Sequence, residues 1–378
     1  MAEMIQPYLP LSNNEFAEYV RLNVPREWYF LRYFPLTFTR TFDFKTLEGN
    51  ETLPVTADIV SFDSPAPKKQ RKAIGAWNGT LKKTSISREK DETVIKSEQD
   101  AQFLAEKNND TQAMQSIIND IYDDVDFVTN GIYAQVEAEA LSIGSRGFKD
   151  FEDKIDGKGN TTKDRINFNI PAENQFGCSA DWSDTNTADG IGDIIKIMNF
   201  AEDNDKNALN YAFITKRMLA NLLNQKATKE RLAADLTILT GRAKYQNFTL
   251  ADLNAYMEKF GYPQFEVINR FVNAEQPNGD SYIYQPWKNN VVTLGPTLQL
   301  GRTYYTTVPQ VPNVEAQQTY GSFYKITRYG KVDPMLDRTL AEAYVQPALS
   351  NRKNLFMLNT ANTSWSEGLT ASEVEAQG

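Results

Sequence analysis

The chain has 378 residues, with 40 Lys and Arg against 49 Asp and Glu, one Cys and no His. Without His, a Ser-His-Asp or Cys-His apparatus lacks its imidazole base, and most zinc sites and disulfide frameworks lack their residues. The net charge of −9 argues against a protein that wraps nucleic acid through phosphate contacts, and the length allows two or three domains.

The first 90 residues predict a short arm and then a long two-stranded hairpin. A short helix is predicted over residues 14–22, with no secretory signal before it. Alternation from Thr37 to Phe44 is typical of a strand; it resumes over Leu53–Phe62, turns at Ser64–Pro67 and returns over Ala73–Arg88. Because an isolated two-stranded hairpin is marginal in water, the hairpin is expected to lie on its own domain or on a neighbouring subunit.

A long amphipathic helix is predicted next. Apolar residues recur at spacings of three and four from Met114 to Ala140, and no Pro interrupts residues 111–143. Such a helix would be about 50 Å long, and Gly144 is its predicted end. A single apolar stripe indicates one packed face and one wet face, with Asp123 and Asp124 on the wet side.

The rest of the chain mixes helices and strands, which predicts an α+β fold. Residues 144–160 are expected to form a loop, and the residues from Ala361 onward a flexible tail. Helices are predicted over residues 189–200, 217–225 and 250–260, the last with Thr249 as its N-cap. Strands are predicted over residues 165–170, 211–215, 265–272, 291–295, 304–308 and 355–358, and residues 319–347 are strand-rich.

No motif for catalysis, a cofactor or a metal matches its required pattern. Gly157–Gly159 lacks the first Gly and the final Ser or Thr of a phosphate loop, and Gly190–Gly192 has no preceding strand. Asp203–Asn207 resembles the start of a calcium loop, but Ala208 occupies the position of the turn Gly. No cofactor or metal site is therefore predicted, while a carboxylate or Ser/Lys site stays open.

Charge is sorted between two neighbouring segments. Residues 97–144 hold ten acidic residues and one basic residue, a net charge of −9, whereas residues 64–90 hold eight basic residues and one acidic residue, a net charge of +7. Two solvated faces would explain this, and so would an electrostatic contact between subunits.

Five short segments, taken in their order along the chain, resemble a known family. They are Trp28–Pro35 before the hairpin, Gly75–Arg88 as its returning strand, Asp181–Ser183 with the Ile191–Met198 helix, Phe271–Ala274 with Asn278–Gly279 and Val291–Gly295, and Gln346–Leu349 running on to Leu358. With the order of the elements, they resemble the Hong Kong 97-type fold of tailed-bacteriophage major capsid proteins. The similarity is greater to the lambda-type (capsid protein E) branch.

The resemblance implies a subdivision of the chain. It gives an N-terminal arm (1–35), an extended β-hairpin loop (36–96), a peripheral domain with a spine helix (97–184), an axial domain (185–318), return strands of the peripheral domain (319–360) and a flexible tail (361–378). In this family the spine helix lies along the inner face of the shell. An acidic helix there would repel packaged DNA.

The implied function is structural, without catalytic residues. The chain would assemble into pentamers and hexamers of an icosahedral head around double-stranded DNA, in a virion assembled in the host cytoplasm. The expected partners are further copies of the chain, with scaffold, portal and decoration proteins as candidates; DNA is enclosed without sequence-specific binding, and no membrane is involved.

Contacts between subunits are predicted for the extended loop. The predicted contact residues are Phe38, Phe42, Lys68, Lys69, Arg71, Lys72, Trp77, Lys82 and Lys83. Two other functions stay open: a cytosolic enzyme, dimeric through the hairpin, with a carboxylate or Ser/Lys site, and a tail-tube or sheath protein.

Overall fold

The structure is a computed structural model that describes residues 4–22, 27–47, 76–108, 110–155, 161–204, 206, 208–240, 247–275, 280–312, 315–370 and 372–373. The helices are α1 (Asn13–Leu22), α2 (Tyr29–Tyr33), α3 (Glu92–Asn108), α4 (Thr111–Arg146), α5 (Gly190–Asp203), α6 (Lys216–Asn224), α7 (Lys226–Thr240) and α8 (Leu250–Lys259). The strands are β1 (Leu36–Phe38), β2 (Asp43–Leu47), β3 (Ala76–Thr80), β4 (Lys82–Asp91), β5 (Phe148–Ile155), β6 (Thr161–Asn167), β7 (Gln175–Gly177), β8 (Tyr211–Thr215), β9 (Gln264–Ile268), β10 (Val272–Glu275), β11 (Ser281–Tyr284), β12 (Val291–Gly295), β13 (Gly301–Thr306), β14 (Gln317–Tyr320), β15 (Lys325–Lys331), β16 (Leu336–Leu349) and β17 (Phe356–Asn359).

The first core lies between α4 and a six-stranded sheet. The strand order is β1-β13-β16-β15-β14, and β4 pairs with β16 in addition. Residues 82–91 of β4 run antiparallel to residues 336–345 of β16. The apolar residues of α4 that close this core, against Ile326, Ala341 and Val345 of the sheet, include Val125, Val128, Ile132, Val136 and Leu141.

The second core lies around a five-stranded sheet of order β7-β17-β12-β8-β9. Helices α5, α6 and α8 supply its apolar residues, among them Ile194, Leu222 and Leu253. Thr249 caps α8 as predicted, through a reciprocal capping box with Asp252. The chain crosses between the sheets, since β13 belongs to the first sheet and β17 to the second. The division of the chain into an arm, a loop, peripheral and axial domains and a tail stays a prediction.

The hairpin is present, but the segments that flank it, residues 36–38 and 82–91, join the six-stranded sheet. Strands β2 and β3 pair from Asp43 and Thr80 to Leu47 and Ala76, while residues 48–75 lie outside the described part of the chain. The alternation over residues 37–44 is broken because Thr39 and Thr41 turn their hydroxyls onto the backbone two residues ahead. Strand β1 therefore joins β13 in parallel, and β4 joins β16 instead of extending the hairpin.

The long helix ends one turn later than predicted. Gly144 is inside α4, and Gly147 provides the left-handed residue after the helix, with φ of 74° and its N–H bonded to the Ile143 carbonyl. The prediction of one wet face is also wrong for the second half of α4. Glu137, Glu139 and Gly144 are buried there, because side chains of the body pack against this half of the helix on more than one face.

Two segments predicted to lack structure are folded. Residues 148–155, predicted as loop, form β5 and pair with β6; the guanidinium groups of Arg146 and Arg165 both lie over the ring of Phe148, at 4.6 and 4.2 Å. Residues 361–370 of the predicted flexible tail pack on the body. The Asn359 side-chain amide donates to the carbonyls of Trp365 and Leu369, at 2.7 and 2.8 Å.

Replacing Gly144 by Ala is expected to lower the free energy of unfolding by about 1–3 kcal/mol, the usual cost of overpacking a core. The added Cβ would lie 2.9 Å from Cζ3 of Trp287 and 3.3 Å from Cδ1 of Leu300. Both neighbours are fully buried and have no room to move.

The matched control is Gly131→Ala on the same helix. There the nearest atoms belong to Ile86, a half-buried side chain whose end can turn away. Because Ala stabilises helix by about 1 kcal/mol over Gly, this variant should be neutral or more stable. Urea unfolding of the unassembled chain measures both, and equal destabilisation would contradict the packing described.

Candidate functional site

Aromatic side chains gather where the hairpin leaves the six-stranded sheet. Phe38 is 53% exposed and meets the Tyr305 ring edge-on, with 5.6 Å between ring centroids. Phe42 is 51% exposed and meets Tyr344 in the same way, at 5.1 Å. Two large apolar rings thus stay largely in water although each has an aromatic neighbour. Such exposure is typical of a surface that a partner covers.

Next to Phe38 lies an open groove of about 270 Å³, here called the aromatic groove. Its lining consists of Phe38, Tyr305, Thr306, Thr307, Val308, Tyr320, Gly321, Ser322, Phe323 and Tyr324. Hydrogen bonds fix its shape: Tyr320 donates to the Val308 carbonyl at 2.7 Å, and Ser322 shares a 2.9 Å hydrogen bond with Tyr133. The groove is therefore formed before anything binds.

The phenol groups of Tyr320 and Tyr324 in the aromatic groove stay neutral. Burial raises the pKa of Tyr324 to about 12, and burial also raises the pKa of Tyr320. Both phenols therefore keep their protons at physiological pH. The groove presents aromatic faces and neutral hydroxyls, which suit an apolar ligand better than an ion.

The predicted basic contact residues of β4 lie on the sheet, not on the hairpin. Lys83 pairs with Glu342 at 2.5 Å, and this hydrogen bond raises the pKa of Lys83. Lys82 is half-buried on the same strand. Both meet residues of their own chain, and a role for them between subunits stays a prediction.

The side chains of the remaining predicted contact residues are outside the described part of the chain. Trp77 is in β3, but its side chain is outside the described residues. Lys68, Lys69, Arg71 and Lys72 all lie in residues 48–75, outside the described chain.

Some of the basic and acidic residues that the sequence separates form ion pairs within the same chain. Arg88 reaches Asp124 at 3.3 Å, and Lys90 bonds Glu98 at 2.6 Å and Asp124 at 3.3 Å. Asp124 on α4, predicted to face water, is instead buried beneath these two cations. Strand β4 thus neutralises two carboxylates of the neighbouring helices, those of Glu98 and Asp124.

Five of the ten acidic residues in 97–144 remain exposed. Asp124, Glu137 and Glu139 are buried, Glu98 bonds Lys90, and Asp126 accepts a 2.7 Å hydrogen bond from Tyr19. The exposed five are Asp100, Glu106, Asp110, Asp120 and Asp123. The acidic surface along α3, α4 and the junction between them is therefore about half as dense as the sequence suggests.

A buried carboxylate ties three parts of the chain together at what we call the Glu137 junction. Glu137 accepts hydrogen bonds from the N–H groups of Tyr29, at 3.1 Å, and Phe30, at 2.7 Å, where α2 begins. It also accepts one from Nε of Arg270 at 3.0 Å, whose guanidinium lies over Trp28. Burial raises the pKa of Glu137, and these donors oppose the rise.

Among the described residues, one cluster combines a Ser and a Lys as the open enzyme alternative requires. Lys196 donates to Ser179 Oγ at 2.6 Å, and Ser179 donates to Asp193. Lys196 is 69% exposed, so its ammonium is solvated, and Asp193 also holds the Trp182 indole N–H at 3.0 Å. A general-base lysine needs a desolvated amine. The cluster instead fastens the loop before α5 to that helix.

The described part of the chain offers little support for a metal site or a reactive cysteine. No group of three or more His, Cys, Asp or Glu there could hold a metal ion. Burial raises the pKa of the Cys178 thiol to about 12, which makes its thiolate scarce. Within the same residues, no helix combines the length and the apolar character that crossing a membrane requires.

No protein-family model matches the chain, and no curated protein matches it in sequence. Solved structures do match its fold. The putative capsid protein of a prophage from Escherichia coli CFT073 aligns with a TM-score of 0.55 at 14% identity, covering 93% of this chain and 100% of that chain. A phage-related protein from Bordetella bronchiseptica RB50 aligns with a TM-score of 0.52 at 13% identity, covering 92% and 96%.

The chain therefore has the predicted α+β fold of the Hong Kong 97 type. Its assignment to the lambda-type branch stays a prediction. Sequence reasoning found neither the aromatic groove nor the Glu137 junction. The one available signal for the groove was the density of aromatic residues between 304 and 324, which alternation alone presents as ordinary core.

Replacing Glu137 by Ala is expected to destabilise the chain by about 3 kcal/mol, because it leaves Arg270 and two N–H groups without their acceptor. Glu137→Gln keeps one acceptor oxygen and should cost about half as much. Urea unfolding followed by circular dichroism measures both.

A double-mutant cycle with Arg270→Ala separates the junction from simple loss of side-chain volume. Groups in direct contact are coupled, so the double variant should be at least about 1 kcal/mol more stable than the sum of the single effects predicts. Strict additivity would show that Glu137 and Arg270 do not act together.

Proposed function

We propose that this chain is a major capsid protein of a tailed bacteriophage or prophage. It would assemble into pentamers and hexamers of an icosahedral shell that encloses double-stranded DNA. The observation that carries the proposal is the likeness in fold over 93% of this chain and 100% of a chain described as a putative prophage capsid protein.

The hairpin supports assembly of identical copies. Among the described residues, β2 and β3 pair with each other and with no further strand. A two-stranded ladder of this size is marginal in water unless it lies on another surface. Phe38 and Phe42 expose apolar rings at its base. A neighbouring copy would cover these features, and closed rings of copies require such unlike, complementary surfaces.

The charge distribution supports separate roles for the acidic and the basic residues, the acidic ones facing the shell interior and the basic ones lying between subunits. The five exposed carboxylates on α3, on α4 and between them would face packaged DNA, and like charge would keep the phosphate backbone from adhering. The basic residues at positions 68–72 would act between subunits. The proposal includes scaffold, portal and decoration proteins as partners, and a final place in the virion after assembly in the host cytoplasm.

Negative-stain electron microscopy of the purified full chain tests the proposal. Closed shells of uniform diameter are expected. Open tubes would contradict it in favour of a tail-tube or sheath protein, and a small discrete oligomer would contradict it in favour of a dimeric enzyme.

Reversing Lys68, Lys69, Arg71 and Lys72 to Glu is expected to reduce the yield of sedimentable shells at least about tenfold. The reason is loss of attraction to an acidic neighbouring surface. The unfolding midpoint of the unassembled chain should not change. As a matched control, Lys→Arg at positions 68, 69 and 72 with Arg71→Lys keeps every charge and should assemble normally. Normal shells from the reversed variant would show that the basic segment does not contribute to the interface between subunits.

A further inference from the structure

We propose that residues 4–12, here called the N-terminal strap, form a proton-sensitive strap over a group of buried charges. The strap stays attached while Asp337 is protonated and detaches more readily once Asp337 ionises. This inference concerns the single chain and goes beyond the proposed function.

The N-terminal strap lies across the end of the six-stranded sheet where β15 turns into β16. Ile5 and Gly330 exchange two backbone hydrogen bonds, at 3.1 and 2.9 Å. The Tyr8 N–H donates to both carboxyl oxygens of Asp337, each at 3.1 Å. A titratable side chain of the sheet thus holds the main chain of the strap.

Few apolar contacts hold the strap to the body. Leu9 is buried in a small cluster with Ile117 and Ile121 of α4, apart from the two main cores. Its carbonyl accepts a 3.2 Å hydrogen bond from Arg328, a side chain that is itself buried. Segments with few buried apolar contacts open locally, at a lower free energy than global unfolding. Detachment of the strap would therefore uncover Arg328 and the first half of α4 without unfolding the body.

Charged groups from several elements surround Asp337 beneath the strap. A small enclosed space there is lined by Pro7 and Leu9 of the strap and by six charged side chains of β4, α3, α4, β15 and β16. The charged six are Lys90, Glu98, Asp124, Arg328, Asp337 and Arg338.

Most of these charges already have partners. Lys90 pairs with both Glu98 and Asp124, and Arg338 pairs with Glu89. Within the described residues, the hydrogen bonds that the Asp337 carboxyl accepts come from the strap itself. The charge on Asp337 is therefore the one in this group that depends most directly on the strap.

The effect of pH on attachment follows from the surroundings of Asp337. Burial raises the pKa of Asp337; the Tyr8 N–H, Arg328 and Lys90 oppose the rise, and Glu98 adds to it. Because the strap lines this space, detachment would expose the carboxyl to water and return its pKa toward the ordinary value. Protonation therefore favours the attached strap. This stabilisation is complete below the ordinary pKa of Asp and is lost as the pH rises through the raised pKa.

The composition of the chain directs attention to this carboxyl group. The chain has no His, the side chain whose ordinary pKa lies between pH 5 and 8. A side-chain response in this range therefore depends on groups whose pKa is moved by burial. Among the carboxyl groups of the described residues, burial raises the pKa of Glu137, Glu139 and Asp337. The first two lie inside the body on α4, whereas Asp337 lies beneath a surface segment.

Thiol labelling of Leu9→Cys, in an unassembled chain that also carries Cys178→Ala, tests the proposal between pH 4.5 and 8. A Cys at position 9 is buried while the strap is attached, so a pyridyl disulfide reaches it only after detachment. Its labelling rate is divided by that of Ser183→Cys, an exposed position, which corrects for the pH dependence of thiolate formation. This ratio is expected to rise at least about threefold with pH, since one unit of pKa shift changes the equilibrium about tenfold.

Three variants separate Asp337 from its neighbours. Asp337→Asn keeps an oxygen for the Tyr8 N–H but cannot ionise, so its ratio should stay low at every pH. Glu98→Gln removes a charge that raises the pKa of Asp337, so the rise should occur at lower pH. Tyr8→Phe loses the hydroxyl bond to the Lys331 carbonyl but keeps the N–H, and it should retain the rise.

The opposing outcomes are distinct. A ratio that does not change with pH, or that falls as the pH rises, would overturn the proton-sensitive strap. An undiminished rise in Asp337→Asn, or its loss in Glu98→Gln, would overturn the assignment to Asp337. Labelling of the buried Cys178 in the unsubstituted chain reports global unfolding, and an equal rise there would overturn local detachment. Because the chain is unassembled, none of these results depends on whether shells form.

Discussion

The buried carboxylate of Glu137 fixes the start of α2, and the position of Phe38 beside the aromatic groove follows from it. Helix α2 is a single short turn that would not persist alone in water. Glu137 holds its first N–H groups, and backbone bonds from Leu300 to Tyr33 and from Thr303 to Pro35 then align the chain with β13. Strand β1 continues this alignment and places Phe38 at the edge of the aromatic groove.

The long helix has two electrostatic environments along its length. Its second half lies between both cores, where Glu137 and Glu139 are buried and burial raises the pKa of each. Its first half carries carboxylates that either pair with β4, as Asp124 does, or stay in water, as Asp120 and Asp123 do. Ion pairs therefore stabilise the chain internally, and only part of its negative charge stays exposed.

Much of the fold could be predicted because local signals agree with it. The periodicity of α4, the strand and helix over residues 211–224, and the Thr249 cap each depend on residues close in sequence. Strand β4 is different. Its alternating Lys, Thr, Ser and Ile suit a free hairpin and a sheet strand equally, and its partner β16 lies far away in sequence. The sequence therefore left its place undecided.

The other departures have similar causes. Strand β5 is too polar to be recognised, and stacking of two Arg side chains on Phe148 is a tertiary feature. The end of α4 was misplaced because Gly144 and Gly147 are both glycines near the helix end, and only packing on Trp287 distinguishes them. The candidate site was located only in part: Phe38 and Phe42 lie at an open surface, but the groove depends on residues from β13 to β15 that alternation presents as core.

The central claim is that the body of the chain is complete by itself, whereas the exposed rings of Phe38 and Phe42 and the aromatic groove become covered when copies of the chain assemble. Hydrogen–deuterium exchange on unassembled and assembled protein tests it most directly. The account predicts that residues 132–146 of α4 are protected in both states, while residues 38–47 and 305–324 gain protection on assembly. Equal exchange at the groove in both states, or protection of α4 only after assembly, would contradict it.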